Sequence, residues 1–207
     1  MIKASHNKLY EVFFDNYIRL LLKIDFREVN IIRPGLEDQE KAVLLLGNHF
    51  SWWDGFFARY INNRVFRRRF HVMMLEDPLK KRMFLNKLGA FSIKKNSKTG
   101  LESLEYAAGL LEDKNNLVLL FPQGSIQSHH NRPLTFEKGW FRILNKISGH
   151  FQVVFMAGLV DFFSHRKPTL SIYLENYNPG EPFNKEVFQD AYNAFFENCI
   201  TQQKEPQ

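Results

Sequence analysis

Ala42-Val43-Leu44-Leu45-Leu46-Gly47-Asn48-His49-Phe50-Ser51-Trp52-Trp53-Asp54-Gly55 is the stretch from which the architecture follows. Its first five residues form a short, unbroken apolar run, the pattern of a strand covered on both faces. A polar loop carrying Asn48 and His49 comes next, and Gly55 to Phe66 reads as a helix. Strands of this kind belong to parallel α/β sheets, where ligands bind beyond the carboxyl ends of the strands.

The same alternation continues in both directions. Upstream, Tyr10, Phe14, Tyr17, Leu21 and Ile24 fall at i, i+4, i+7, i+11 and i+14, on one face of an N-terminal helix. Glu11, Asp15, Arg19 and Lys23 occupy the other side, with Asp15 and Arg19 in a favourable i, i+4 order. Two readings stand: a helix packed on the core, or an amphipathic helix in a membrane interface, the mixed charges favouring the first. Phe26 to Ile32 reads as a strand ending at Pro34-Gly35. Downstream, Arg69 to Leu75, Ala90 to Ile93, Leu117 to Phe121, Phe151 to Val160 and Thr169 to Leu174 read as strands. Pro78 to Leu88, a segment capped by Ser97 or Thr99 and running to Leu111, Phe136 to Ile147, and Lys185 to Thr201 read as helices. The expectation is one α/β domain over 1–207, with a mostly parallel mixed sheet flanked by helices. An N-terminal amphipathic helical segment, 1–25, precedes an α/β core, 26–200.

Composition narrows the function classes. The chain has 207 residues, 44% hydrophobic and 24% charged, which is ordinary for a globular protein. Aromatic residues reach 15%, 21 of them Phe, a surplus that suits an apolar ligand, a membrane surface or simply the core. The net charge of +6 favours anionic partners. No nucleic-acid motif accompanies it, so nucleic acid is not expected as a partner. The lone Cys199 excludes an internal disulfide framework and a multi-cysteine zinc site. His129 and His130 lack a nearby carboxylate and read as loop residues, so no metal is expected. No Gly-x-Ser-x-Gly turn is present, which argues against a serine hydrolase. Met1 to Lys8 has no signal pattern, and apolar runs such as Val153 to Val160 fall short of the roughly 18 residues of a membrane span. The expected location is the cytoplasm, with peripheral attachment to the inner face of the membrane.

Three segments at strand ends carry the candidate chemistry. His49 is the residue best suited to general-base work near neutrality. Asp54 is able to hold its ring if His49 lies in the loop and Asp54 in the first helical turn. Ser51-x-x-Asp54 is equally a capping-box pattern, so Asp54 has a purely structural reading too. Phe121-Pro122-Gln123-Gly124-Ser125 follows a buried strand, as a turn whose N–H groups can face a ligand or as a plain turn. Gly89-Ala90-Phe91-Ser92-Ile93-Lys94-Lys95 is a short apolar strand ending in two cations. The clusters Arg67-Arg68-Arg69 and Lys80-Lys81-Arg82, with Trp52 and Trp53, read either as membrane contacts or as solvated helix ends and core packing.

Together these segments resemble the glycerolipid acyltransferases, the family of lysophosphatidic acid acyltransferases. Asn48, His49 and Asp54 meet its first motif, Asn-His-x-x-x-x-Asp, without a mismatch. Gly89 to Lys95 is similar to its second motif, Gly-x-Ile-Phe-Ile-Asp-Arg, and Phe121 to Ser125 to its third, Phe-Pro-Glu-Gly-Thr-Arg. Val153 to Gly158 resembles the fourth, without its usual proline. The resemblance implies transfer of a fatty acyl group from acyl-CoA or acyl carrier protein to a lipid hydroxyl. No other cofactor is implied. It places His49 as the base and Asp54 as its orienting group. Asn48, Lys95, Gln123, Gly124 and Ser125 fall at substrate-binding positions, with the amides around Gly124 and Ser125, or at the helix start after His49, as oxyanion donors.

The departures bear on the acceptor. Gln123 stands for the family's glutamate, Ser125-Ile126 for its Thr-Arg, and Lys94-Lys95 for its Asp-Arg. Lys95 keeps a charge without the bidentate fork of Arg, and Ile126 keeps none. The acceptor is therefore a lysophospholipid such as 1-acylglycerol-3-phosphate, or a related non-phosphorylated lipid. A catalytically weak lipid-binding member of the same fold is the alternative.

Overall fold

In the computed structural model, which describes residues 1–33, 38–94, 98–147, 151–179 and 183–205, every residue of the Ala42–Gly47 strand is buried. The elements run α1 (Lys8–Asp25), β1 (Glu28–Ile32), β2 (Ala42–Gly47), α2 (Asp54–Ile61), β3 (Arg69–Leu75), α3 (Glu76–Lys81), β4 (Ala90–Ile93), α4 (Lys98–Leu110), β5 (Asn116–Leu120), β6 (Phe151–Asp161), β7 (Thr169–Tyr177) and α5 (Lys185–Thr201). A π-helical turn (Asn62–Phe66) extends α2, and 3-10 turns cover Met83–Leu88 and Trp140–Lys146.

One seven-stranded sheet has the order β1-β7-β6-β2-β5-β3-β4. All neighbours are parallel except β6 and β7, so the sheet is mostly parallel and mixed, as the alternation of apolar runs implies. Alternation along the strands divides the core. Leu44, Leu46, Val118, Leu120, Val153 and Phe155 meet α4, α5 and the Trp140–Lys146 turn. Val43, Leu45, Leu117, Leu119, Val154 and Met156 meet α1 and α2. At about 25 cal/mol per Å² of apolar surface, these two layers supply the main drive to fold.

Several local expectations need correcting. The face of α1 that packs inward is Phe14, Ile18 and Leu22, not the Tyr10–Ile24 row, because Tyr10, Tyr17 and Ile24 are exposed. Asp15 does not serve Arg19. Its carboxylate turns inward to Arg59 of α2, with Nε–Oδ1 at 2.6 Å. Pro78 to Leu88 is two short helices broken at Arg82, whose backbone is not helical. Phe136 to Ile147 is helical only from Trp140. Before that point the amides of Leu134 and Phe136 are taken by Asn193 Oδ1 and Gln189 Oε1 of α5, so they do not enter a helical ladder. Thr99 lies inside α4 rather than capping it. Ser97 and Pro34-Gly35 lie outside the described residues.

The first residues are tied down. Ser92 N–H donates to Ile2 O, and Ile2 N–H donates to Ser92 Oγ. His6 Nδ1 meets Glu11 at 2.7 Å, and its ring contacts His71 edge to face at 4.8 Å.

Candidate active site

β2 and β5 are neighbours, so the loops leaving their carboxyl ends emerge side by side. That adjacency brings residues 48–54 and 121–127 together. His49 N–H donates to Gln123 Oε1 at 2.7 Å, and Gln127 N–H donates to His49 O at 2.8 Å. Both peptide groups of His49 are thus held by the second loop. Phe121 lies flat against the imidazole, with centroids 4.2 Å apart.

Asp54 sits at the start of α2 and folds back, as the loop-then-helix order requires. Its Oδ2 lies 2.8 Å from His49 Nδ1 and accepts from Phe50 N–H and Ser51 N–H, each at 2.8 Å. One carboxylate oxygen thus meets both the loop amides and the imidazole, while Trp53, the residue that caps α2, has no side-chain capping bond. Burial pushes the Asp54 carboxyl pKa up, and the hydrogen bonds from His49, Ser51 and Phe50 oppose that rise. With Nδ1 facing a carboxylate, Nε2 is left as the basic nitrogen.

Asn48 braces the other side. Its Nδ2 donates to Gly158 O at 2.9 Å, and Gly158 N–H donates to its Oδ1 at 2.8 Å. A side chain on Gly158 would crowd Phe50, which lies 3.2 Å from its ideal Cβ.

His49 forms part of the wall of a cavity of about 1250 Å³. The wall is mainly apolar, with Phe70, Met73, Ile93, Leu104 and Ile126 among its residues, and it also carries Arg59, Arg82, Lys94 and Lys138. Arg59 is spoken for by Asp15 and by Leu88 O at 3.2 Å. The Arg82 guanidinium lies over the Trp52 ring, 5.4 Å from its centroid.

Of the residues expected at catalytic and substrate-binding positions, His49, Gly124 and Ser125 reach the cavity. Asn48, Asp54 and Gln123 are buried behind it and act on the loops rather than on the open space. Lys95 lies outside the described residues. The amide of Gly124 is already engaged with Phe121 O at 3.0 Å. At the helix start, the amides of Phe50 and Ser51 are taken by Asp54, and that of Trp53 by Ser51 Oγ. Of the positions named as oxyanion donors, Ser125 and, at the helix start, Trp52 and Gly55 lie at the cavity wall. His129 packs on Phe50, and His71 is buried beside His6 with its pKa lowered to about 4, chiefly by burial. Among the described residues, no cluster of three metal-ligating side chains is gathered. Sequence reasoning missed Phe121 as the ring's stacking partner, Gln127 as a clamp, and Lys138 as a base on the wall. Only the adjacency of β2 and β5 exposes the first two roles.

A family model described as Acyltransferase matches residues 24–157. No curated protein matches. Among solved structures, the chain is similar to the crystal structure of the 1-acyl-sn-glycerophosphate (LPA) acyltransferase, PlsC, from Thermotoga maritima, at 17% identity and a TM-score of 0.58. The match covers 96% of this chain and 80% of that one, and at this identity it speaks to the fold.

Proposed function

This chain belongs to the acyltransferase family, and on that premise we propose that it moves a fatty acyl group from a thioester to a hydroxyl of a lipid acceptor. The donor is acyl-CoA or acyl carrier protein. The observation that carries the reading is the His49–Asp54 pair, 2.8 Å apart, at the wall of a large and mainly apolar cavity.

In this reading the acceptor hydroxyl approaches His49 Nε2, which takes its proton as the oxygen attacks the thioester carbon. Asp54 holds the ring and stabilises the imidazolium. The carbonyl oxygen gains charge, and backbone N–H groups at the cavity wall, that of Ser125 among them, are the candidate donors. When the tetrahedral species collapses, the C–S bond breaks and His49 returns the proton to the thiolate. No acyl-enzyme forms, and the scheme calls on no metal or cofactor. The apolar wall suits an acyl chain. Arg82, Lys94 and Lys138 suit an anionic headgroup or the donor's phosphates.

The similar Thermotoga maritima enzyme is a 1-acyl-sn-glycerophosphate acyltransferase. Here Ile126 lines the cavity where the resembling motif carries arginine. The acceptor class therefore spans lysophospholipids and related non-phosphorylated lipids, met at a membrane surface. Thiol release from acyl-CoA or acyl carrier protein, measured with a panel of such acceptors, tests the proposal. His49→Ala is expected to lower the rate by about 10² to 10⁴. Unchanged turnover in that variant overturns the mechanism.

A further inference from the structure

The turn after β5 carries a chain of side-chain hydrogen bonds whose direction is fixed from one end. A backbone N–H can only donate, so the His49 amide obliges the oxygen of Gln123 to face it, at 2.7 Å. The nitrogen of the same side chain is the atom left for Gln127, and it donates to Gln127 Oε1 at 3.4 Å. That bond orients the second amide in turn. Gln127 Nε2 faces Ser125 and donates to its Oγ at 3.2 Å. Oxygen and nitrogen of each amide are thus assigned by the partner before it. The backbone of Gln127 anchors the chain, its N–H donating to His49 O at 2.8 Å.

The consequence falls on Ser125. A hydroxyl has one proton to give, and with Gln127 Nε2 on a lone pair that proton points elsewhere. Ser125 is exposed on the cavity wall, and its neighbours there, Phe121, Pro122 and Ile126, carry no side-chain acceptor. A carboxylate at position 123 would reverse the chain. It has no donor, so Gln127 would turn Nε2 towards it, and Ser125 would give its proton to Gln127 Oε1. The glutamine is what frees the hydroxyl.

We propose that Gln127 is a positioning residue which, together with Gln123, commits the Ser125 hydroxyl to donate to an oxygen of the acceptor beside its reacting hydroxyl. The site then favours acceptors with oxygens on neighbouring carbons, as in a diol or a glycerol derivative, over simple alcohols. That an acceptor occupies this wall rests on the acyltransferase reading above. The same two glutamines hold both peptide groups of His49, so base and hydroxyl are set by one device.

1,2-Decanediol and 1-decanol, which differ by one hydroxyl on the neighbouring carbon, are the probes. Their affinity is read without turnover from the fluorescence of Trp52 and Trp140, both on the cavity wall. The parent is expected to bind the diol about three- to tenfold tighter, the worth of one neutral hydrogen bond. Ser125→Ala and Gln127→Glu are each expected to abolish that preference, the second because its carboxylate takes the Ser125 proton while the backbone anchor on His49 stays. Ser125→Thr keeps a hydroxyl and is expected to retain the preference. Adding Gln127→Glu to Ser125→Ala is expected to change nothing further, whereas a plain charge effect would add. In thiol-release assays Ser125→Ala is expected to raise KM for the diol by the same factor and to leave KM for the thioester alone. Equal binding of the two alcohols by the parent, an unchanged preference in Ser125→Ala or Gln127→Glu, or a further loss in the double variant overturns the proposal. A lower kcat in Ser125→Ala with the affinity for the diol intact also overturns it and assigns the hydroxyl to the thioester carbonyl. The expected diol preference and its loss in the variants, without thiol release for any acceptor, keeps the positioning role and sinks the acyltransferase reading instead.

Discussion

Gln123 is the residue whose role changes most between sequence and structure. Its position in the turn suggests a contact with substrate. In the fold it is buried, and its amide oxygen receives the His49 N–H. It is a positioning residue, acting through His49. Gln123→Leu strands that N–H in a dry site, an uncompensated loss of about 1–3 kcal/mol. The expected result is a kcat about tenfold lower or more, with KM for the thioester little changed. Gln123→Glu keeps an acceptor but adds a carboxylate beside the imidazole. It is expected to restore kcat and to move the acid limb of the pH–rate profile upward, since a nearby negative charge favours the imidazolium. A profile of rate against pH for the two variants checks both outcomes. His49 and Asp54 were legible because their spacing and the strand–loop–helix order leave one geometry in which they meet. Gln123 was not, because its partner is a backbone amide 74 residues away.

At the level of elements, β2, β3, β4 and α5 could be read almost to the residue. The run of β2 is unbroken, β3 and β4 are mainly apolar and bounded by polar residues or glycine, and the helical spacing of α5 is sustained. The failures have physical causes. The face of α1 was misplaced because that helix is apolar on two sides, and spacing alone does not say which side meets the core. The segment before Trp140 was read as helix because nothing local shows that side chains of α5 take its amides. Gly89 shows how one residue joins two elements. It ends the Met83–Leu88 turn with φ of 100°, and an added Cβ would lie 2.0 Å from Phe70 O. Both the backbone angle and the clash exclude a side chain. Gly89→Ala is expected to displace β4 from β3 and to destabilise the fold by about 2 kcal/mol or more. Chemical denaturation compared with the parent measures it.

For the molecule as a whole, stability has a built-in dependence on pH. His71 lies buried in edge-to-face contact with the half-buried His6, near Arg69, and its Nε2 meets Asn116 at 3.3 Å. Arg59 faces His6 as well, Asp113 faces His71, and Glu11 alone bonds the pair from the acidic side. Burial depresses both pKa values, that of His71 from 6.5 to about 4. A depressed base is protonated first in the unfolded chain. The share of stability that rests on these two rings is therefore full above about pH 6.5 and falls as pH drops towards 4, with about 3 kcal/mol at stake for His71. Urea melts at steps across that range are expected to show the slope, and His71→Phe is expected to flatten its share of it. The overall α/β plan was legible because strand and helix signals alternate along the chain. The inward turn of Asp15 was not, because its partner Arg59 lies 44 residues away in the chain.

The hydrogen bonds between Ile2 and Ser92 carry a practical consequence. β4 is the last strand in the sheet order, and the opening residues run alongside it like a hem. Trimming the chain back to Asn7 would bare the Ser92 amide on the outer edge of β4, a point at which other chains can add a strand. Such a trimmed protein is expected to clump on concentration, so labels and fusions are better carried after α5.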